Sequence, residues 1–236
     1  MKPNQPAGEA TTAEATSSWR ELAVARSLDS ARMRAETRVQ RFLDAAVELM
    51  NASPGKEFTV QEVVERSGQS LRSFYQYFAG KHELLLALFE ESVRSTSEHL
   101  RECVDEGDDP MDRLHRFVVE YYRLCRPTAR ARSVKKYPII GMADFAQQLL
   151  TEYPKEASVA FVPLVSLFEE LLEDATMAGL VRADLHRGRA TGVILQAVMF
   201  NVFATTISGS SGRAGDSASE DLWDLILHGI GTAQRA

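Results

Sequence analysis

The stretch SGQSLRSFYQYFAGK, residues 67–81, decides how the rest of the chain is read. Four aromatics, Phe74, Tyr75, Tyr77 and Phe78, crowd into five positions behind a glycine, three serines and an arginine. A buried helix spreads its aromatics along one face, and a loop rarely carries so many. Gly68 supplies a residue that tolerates positive φ, which ends one short helix cheaply. Ser70 then caps a second. On that second helix Phe74 and Phe78 share one side, and Gln69, Ser70, Arg72, Ser73 and Gln76 lie outside it. Tyr75 and Tyr77 flank the phenylalanines with hydroxyls within reach of phosphates. The pattern predicts a helix held by two phenylalanines that presents a polar face outward.

Upstream, FTVQEVVERSG begins with Thr59 as N-cap and Glu62 three residues on, a capping box. Val60, Val63 and Val64 give its buried side. Before it, TRVQRFLDAAVELMNA places Val39, Phe42, Leu43, Ala46, Val47 and Met50 at helical spacing, with Thr37 as its expected cap and Pro54-Gly55 as its stop. A supporting helix, a short helix, a glycine turn and a second short helix make a helix-turn-helix.

FTVQEVVERSGQSLRSFYQYFAGKHELL, residues 58–85, resembles the DNA-binding domain of the TetR (tetracycline-repressor-like) transcriptional regulators. The matching elements are the Thr59-capped helix, the Ser67-Gly68 turn, Tyr75, the Tyr77-Phe78 element and Lys81, within a likeness covering about residues 37–90. Two departures stand out: Gln69-Ser70 where Val-Ser is frequent, and Arg72 where a small residue is common. The resemblance implies phosphate contacts at Thr59 and Lys81, backbone anchoring by Tyr75 and Tyr77, and an approach to base edges by Ser70, Leu71, Arg72, Ser73 and Gln76. Arg72 either reads a base, guanine by a bidentate bond worth ~1–3 kcal/mol, or touches phosphate only.

The charge distribution agrees in sign. The 236 residues carry a net −6, but residues 1–18 carry −1, residues 19–81 carry +2 and residues 82–236 carry −7. An acidic chain with a mildly basic amino-terminal part suits a protein that meets a polyanion at one end. Residues 1–18, rich in Pro, Gly, Ala, Thr and Ser, are expected to be a disordered tail. A helical pattern begins at Trp19. Between positions 20 and 41 stand six arginines and three acids: either an arm on DNA phosphates or minor groove, or a solvated extension. Residues 19–81 thus form the helix-turn-helix domain with an extension.

Residues 82–236 read as further helices, so the fold class is all-α throughout, with no strand alternation and no repeat. The segment around Val193, Ala197, Val198, Phe200, Asn201 and Phe203 is apolar on nearly every side and needs neighbours to cover it. The last helix offers Leu222, Trp223, Ile226 and Ile230. The resemblance implies that this part binds a small ligand and forms a homodimer, whose two recognition helices then meet a pseudo-palindromic operator about 34 Å apart or a small multiple of that. Candidate ligand-binding residues are Phe117, Tyr121, Phe145, Phe161, Phe168, Met177, Met199, Phe200 and Phe203, with His115, Tyr122, Gln196 and Asn201 as polar points. Ordinary core packing is the competing reading for each, and His115, beside Arg113 and Arg116, is expected to face water. The basic run from Arg123 to Lys136 suits an acidic ligand such as an acyl-CoA, or a solvated helix end.

Other classes find little support. Hydrophobic residues at 44% and charged residues at 25% are ordinary for a globular chain. No apolar run reaches the ~18 residues of a membrane span, and no apolar leader opens the chain, so no membrane role and no export are expected. Cys103 and Cys125, far from metal-ligand spacing, suggest reduced cytoplasmic thiols. Histidines 82, 99, 115, 186 and 228 are scattered. No catalytic set, phosphate-cradling loop, metal cluster or cofactor motif emerges, so no enzyme is expected. The sequence therefore predicts a cytoplasmic regulator that represses by binding DNA and is released by a small hydrophobic effector, an acyl-CoA or other lipid-like molecule among the candidates. The alternative is a helical carrier or adaptor, which leaves the polar face after Gly68 unexplained.

Overall fold

The computed structural model describes residues 10–53, 56–126, 149, 151–207 and 217–231; side chains are described from Trp19 onward and not for 203–207. Among them are eight helices: α1 (Ala10–Ala52), α2 (Val60–Ser67), α3 (Leu71–Tyr77), α4 (Lys81–Asp105), α5 (Pro110–Leu124), α6 (Pro154–Met177), α7 (Arg187–Ile207) and α8 (Ser217–Ile230). The described residues contain no strand, only an isolated bridge between Val181 and Gly231. The all-α expectation, a helix-turn-helix head followed by a helical body, is met.

α1 is one helix where two segments were expected. It starts at Ala10, inside the stretch read as a disordered tail, and Thr37 is not a cap. The Thr37 hydroxyl instead donates back to the Met33 carbonyl at 2.8 Å. Once a helix is nucleated, each added residue costs little, and Ala and Glu favour it. From Val39 onward α1 turns Phe42, Leu43, Ala45 and Ala46 into the core of the head.

α4 joins head to body. Its first turns bury Leu84, Leu88 and Phe89, and its later ones bury Val93, Leu100 and Val104. α4, α5 and α6 pack on one another, with Phe89 edge-on to Phe161 at 5.4 Å. α5 begins as expected: the Asp109 carboxylate accepts from the Met111 and Asp112 N–H groups, and Pro110 occupies the first turn. α7 lies against α5 and α6, and α8 against α5. The end of α8 is pinned by the Arg182 N–H, which donates to the Ile230 carbonyl at 3.0 Å.

Candidate nucleic-acid interface

The turn is built from local chemistry. Thr59 Oγ1 accepts from the Glu62 N–H at 3.2 Å, while the Glu62 carboxylate accepts from the Thr59 N–H at 2.7 Å and its hydroxyl at 2.9 Å. These bonds, the backbone one foremost, hold the Glu62 carboxyl below its usual range. Gly68 sits at φ +64°, with its N–H on the Val64 and Glu65 carbonyls. A Cβ there would meet no atom within 4 Å, so backbone conformation, not space, requires glycine. Ser70 Oγ accepts from the Ser73 N–H at 3.1 Å and starts α3.

α3 is divided as its sequence predicts. Phe74 and Phe78 are buried against Phe42, edge-on at 5.4 and 6.1 Å. Leu71 and Tyr75 are 44% and 57% exposed, and Arg72 and Gln76 also face solvent. The Tyr75 ring stands edge-on to Phe74 at 5.4 Å, so its orientation is held while its hydroxyl end is free of the core. Tyr77 is half-buried and packs against the core. Gly68, Gln69, Ser70, Arg72, Ser73 and Gln76 line an open cleft of about 300 Å³, and Arg38 of α1 forms its other wall. The α3 side of this cleft consists of residues singled out from the sequence, and Arg38 belongs to the arginine-rich run of α1 read there as either a DNA-contacting arm or a solvated extension.

Two expected phosphate ligands are already engaged. Lys81 Nζ pairs with Glu57 at 3.0 Å and lies 5.0 Å from the centre of the Phe58 ring. The Thr59 hydroxyl serves Glu62, and that carboxylate occupies the helix terminus an anion would use. A DNA phosphate at either position must displace an acid.

The candidate ligand residues are not one group. Phe117, Tyr121 and Phe168 are buried together, Phe117 lying 4.8 Å from Phe168 and 5.9 Å from Tyr121 between ring centres. Phe161 and Met199 are half-buried. Tyr122 is buried and donates to Asn201 Oδ1 at 3.4 Å. Met177 and Phe200 are 75% and 70% exposed, and Gln196 is exposed, so these three stand on outer faces. Phe145 and the Phe203 side chain lie outside the described residues, as does the basic run after Arg126.

His115 does not simply face water. Its Nε2 pairs with Glu220 at 2.8 Å and its ring lies 5.2 Å from that of Trp223, tying α5 to α8. Nor is Cys103 isolated. His99 Nε2 lies 3.5 Å from Cys103 Sγ and 2.7 Å from Glu120. A search for paired histidines overlooks this His-x-x-x-Cys step facing a glutamate on the next helix. Glu120 also holds Arg123, so its carboxylate is shared between His99 and Arg123. Burial and the nearby Glu120 push the Cys103 thiol up, and burial pushes Cys125 to about 12, so neither is an activated nucleophile.

Residues 42–88 match the family model described as bacterial regulatory proteins, tetR family. None of the curated proteins matches the chain. Among solved structures, the chain is similar to the transcriptional regulator FadR from Bacillus subtilis in complex with stearoyl-CoA, at 17% identity and TM-score 0.64, covering 81% of this chain and 98% of that one. It is similar to the fatty acid degradation regulator FadR from Bacillus halodurans, at 19% identity and TM-score 0.63, covering 84% and 96%. A structure described as the molecular basis for control of antibiotic production by bacterial hormones aligns at 21% identity and TM-score 0.61, covering 84% and 98%. At such identities these likenesses concern the fold. The tetR family model thus matches the head, residues 42–88, within which the capped turn and α3 lie.

Proposed function

We propose that the chain is a cytoplasmic, homodimeric repressor whose α3 enters the major groove of a pseudo-palindromic operator and which a small hydrophobic effector releases. One observation carries this reading: α3 turns Leu71, Arg72, Tyr75 and Gln76 outward from a backbone fixed by Phe74 and Phe78. Arg72 and Gln76 approach base edges, with Ser70, Leu71 and Ser73 beside them. Tyr75 anchors the backbone and Tyr77 contributes at most its hydroxyl edge. Thr59 and Lys81 reach phosphates only by giving up Glu62 and Glu57.

The dimer is supported by a second surface. Val193 and Phe200 on α7 and Leu225 on α8 are 66%, 70% and 72% exposed. Val193 and Leu225 line an apolar groove of about 400 Å³ that includes Leu185, Ile194, Ala197, Leu222 and Ile226. A second copy covering it by two-fold symmetry fixes the distance between the two α3 helices. An effector that prefers a dimer with the wrong spacing then lowers operator affinity by its differential affinity for the two states. Stearoyl-CoA in the Bacillus subtilis relative of the same fold supports a lipid-like effector class. No catalytic step belongs to this reading. Among the described residues no helix is long and apolar enough to cross a membrane.

The test is selection of duplexes from a random-sequence pool by the full-length protein, followed by binding across a salt series. The expected result is an enriched inverted repeat whose affinity falls steeply with salt. Enrichment of no sequence would leave a carrier or adaptor.

A further inference from the structure

We propose that the amino-terminal half of α1 is a second DNA-binding element, which lays a stripe of arginines along the phosphates flanking the site read by α3. This rests on the DNA-binding reading above and extends it beyond the helix-turn-helix.

α1 contributes to the core of the head only from Val39 onward, and nearly all described side chains from Trp19 to Arg38 are exposed. Its charges are sorted around the helix. Arg34, Arg38 and Arg41 follow at steps of four and three residues, which keeps them on one side, and Arg20 lies about five whole turns before Arg38 on the same line. Between them on that side fall Ala23, Ser27 and Ala31, too small to hold the helix away from a duplex. The acids Glu21, Asp29 and Glu36 lie on the other side, where Glu36 pairs with Arg32 at 2.7 Å. Among the described residues no acid pairs with Arg20, Arg34, Arg38 or Arg41; Arg34 reaches only the Ser30 hydroxyl at 3.3 Å.

What identifies the occupant is where the stripe ends. Arg38 is a wall of the cleft formed by Ser70, Arg72, Ser73 and Gln76, so the arginine side of α1 and the reading face of α3 are continuous. From Arg41 to Arg20 the helix runs roughly 32 Å, about one turn of duplex. Arg20 lies 5.8 Å from the centre of the Trp19 ring. A row of guanidiniums with no acid partner among the described residues, in line with a groove-reading helix, fits a phosphate backbone. Of the bulky apolar residues of the stretch, Trp19, Leu22, Leu28 and Met33 lie off the stripe, and Val24, one turn after Arg20, borders it.

The test compares full-length wild type, the double variant Arg20→Ala/Arg34→Ala, and Arg26→Ala as an off-stripe control, on a ~40-base-pair duplex selected by the wild type. All three substitutions fall on exposed helix, and circular dichroism checks that each variant folds. The expected result is a slope of log affinity against log salt shallower by about 1.8 per subunit in the double variant, at ~0.9 per lost phosphate contact. The ratio between selected and scrambled duplex should stay unchanged, and Arg26→Ala should keep the wild-type slope. A slope shared by wild type and double variant overturns the proposal and leaves the arm to a protein partner or to solvent. So does an equal loss in Arg26→Ala. A wild type that selects no duplex overturns both this proposal and the regulator reading.

Discussion

α3 and the α7–α8 groove both expose large side chains, yet they ask for different partners. On α3, Leu71 and Tyr75 sit among Arg72, Gln76 and the capping serine. In the groove, Val193 and Leu225 sit among Ala197, Ile194 and Ile226, with polar groups confined mainly to the Arg182–Arg189 end. Exposed area alone says only that something covers a surface. Its neighbours say what: a polar, cation-bearing face fits a hydrated polyanion, and an apolar face between two helices fits another apolar face. The head is also held by local signals and one small aromatic cluster, whereas the groove depends on how two long helices meet.

The largest effect expected of a substitution concerns what holds α3. Phe74→Ala removes a fully buried ring packed on Phe42 and Phe78 and should cost the head about 3–5 kcal/mol in denaturant unfolding, abolishing DNA binding with it. If both survive, the phenylalanines do not fix the reading helix. Next, Leu225→Arg places a charge in the groove and should weaken dimerisation roughly a hundredfold by sedimentation while leaving the monomer folded. An unchanged dimer would assign the groove to another partner.

The two outward residues of α3 should then part company. Arg72→Ala should cost ~1–3 kcal/mol on the selected duplex and change its base preference if it reads a base. Tyr75→Ala should weaken selected and scrambled duplexes alike. Equal losses for both variants on both duplexes refute that division.

The smallest effect sits in the cap of α2. Thr59→Ala should lower stability by about 1 kcal/mol without altering base preference. Glu62 has a depressed value in the folded state, so its contribution is present in full above about pH 5 and is lost as pH falls through that lowered value. Wild type should therefore exceed Glu62→Gln in melting temperature near neutrality and converge with it in acid. A constant gap would show that the carboxylate adds nothing beyond a neutral amide.

The head was legible because its determinants are near neighbours in sequence. Thr59 and Glu62, Gly68 and its carbonyls, and Phe74 and Phe78 lie within four residues of one another, and side-chain identity there nearly dictates conformation. What stayed hidden depends on distance or context. Lys81 meets Glu57 across 24 residues, so its prior engagement cannot be seen in the run that names it. Thr37 looks like a cap because capping residues also bond backward inside helices, and only the preceding turns tell the two apart. Phe200 sits on a helix apolar all round, so nothing in its spacing separates the outer face from the inner. His115 meets Glu220 across 105 residues, a partner no periodicity announces.

The proposed repressor requires two copies of α3 to read one face of a duplex. Hydroxyl-radical footprinting of the selected duplex tests this most directly. It should give two protected patches on the same face, centred about one helical turn apart or a small multiple of it. A single patch, two patches on opposite faces, or protection without phase would contradict it.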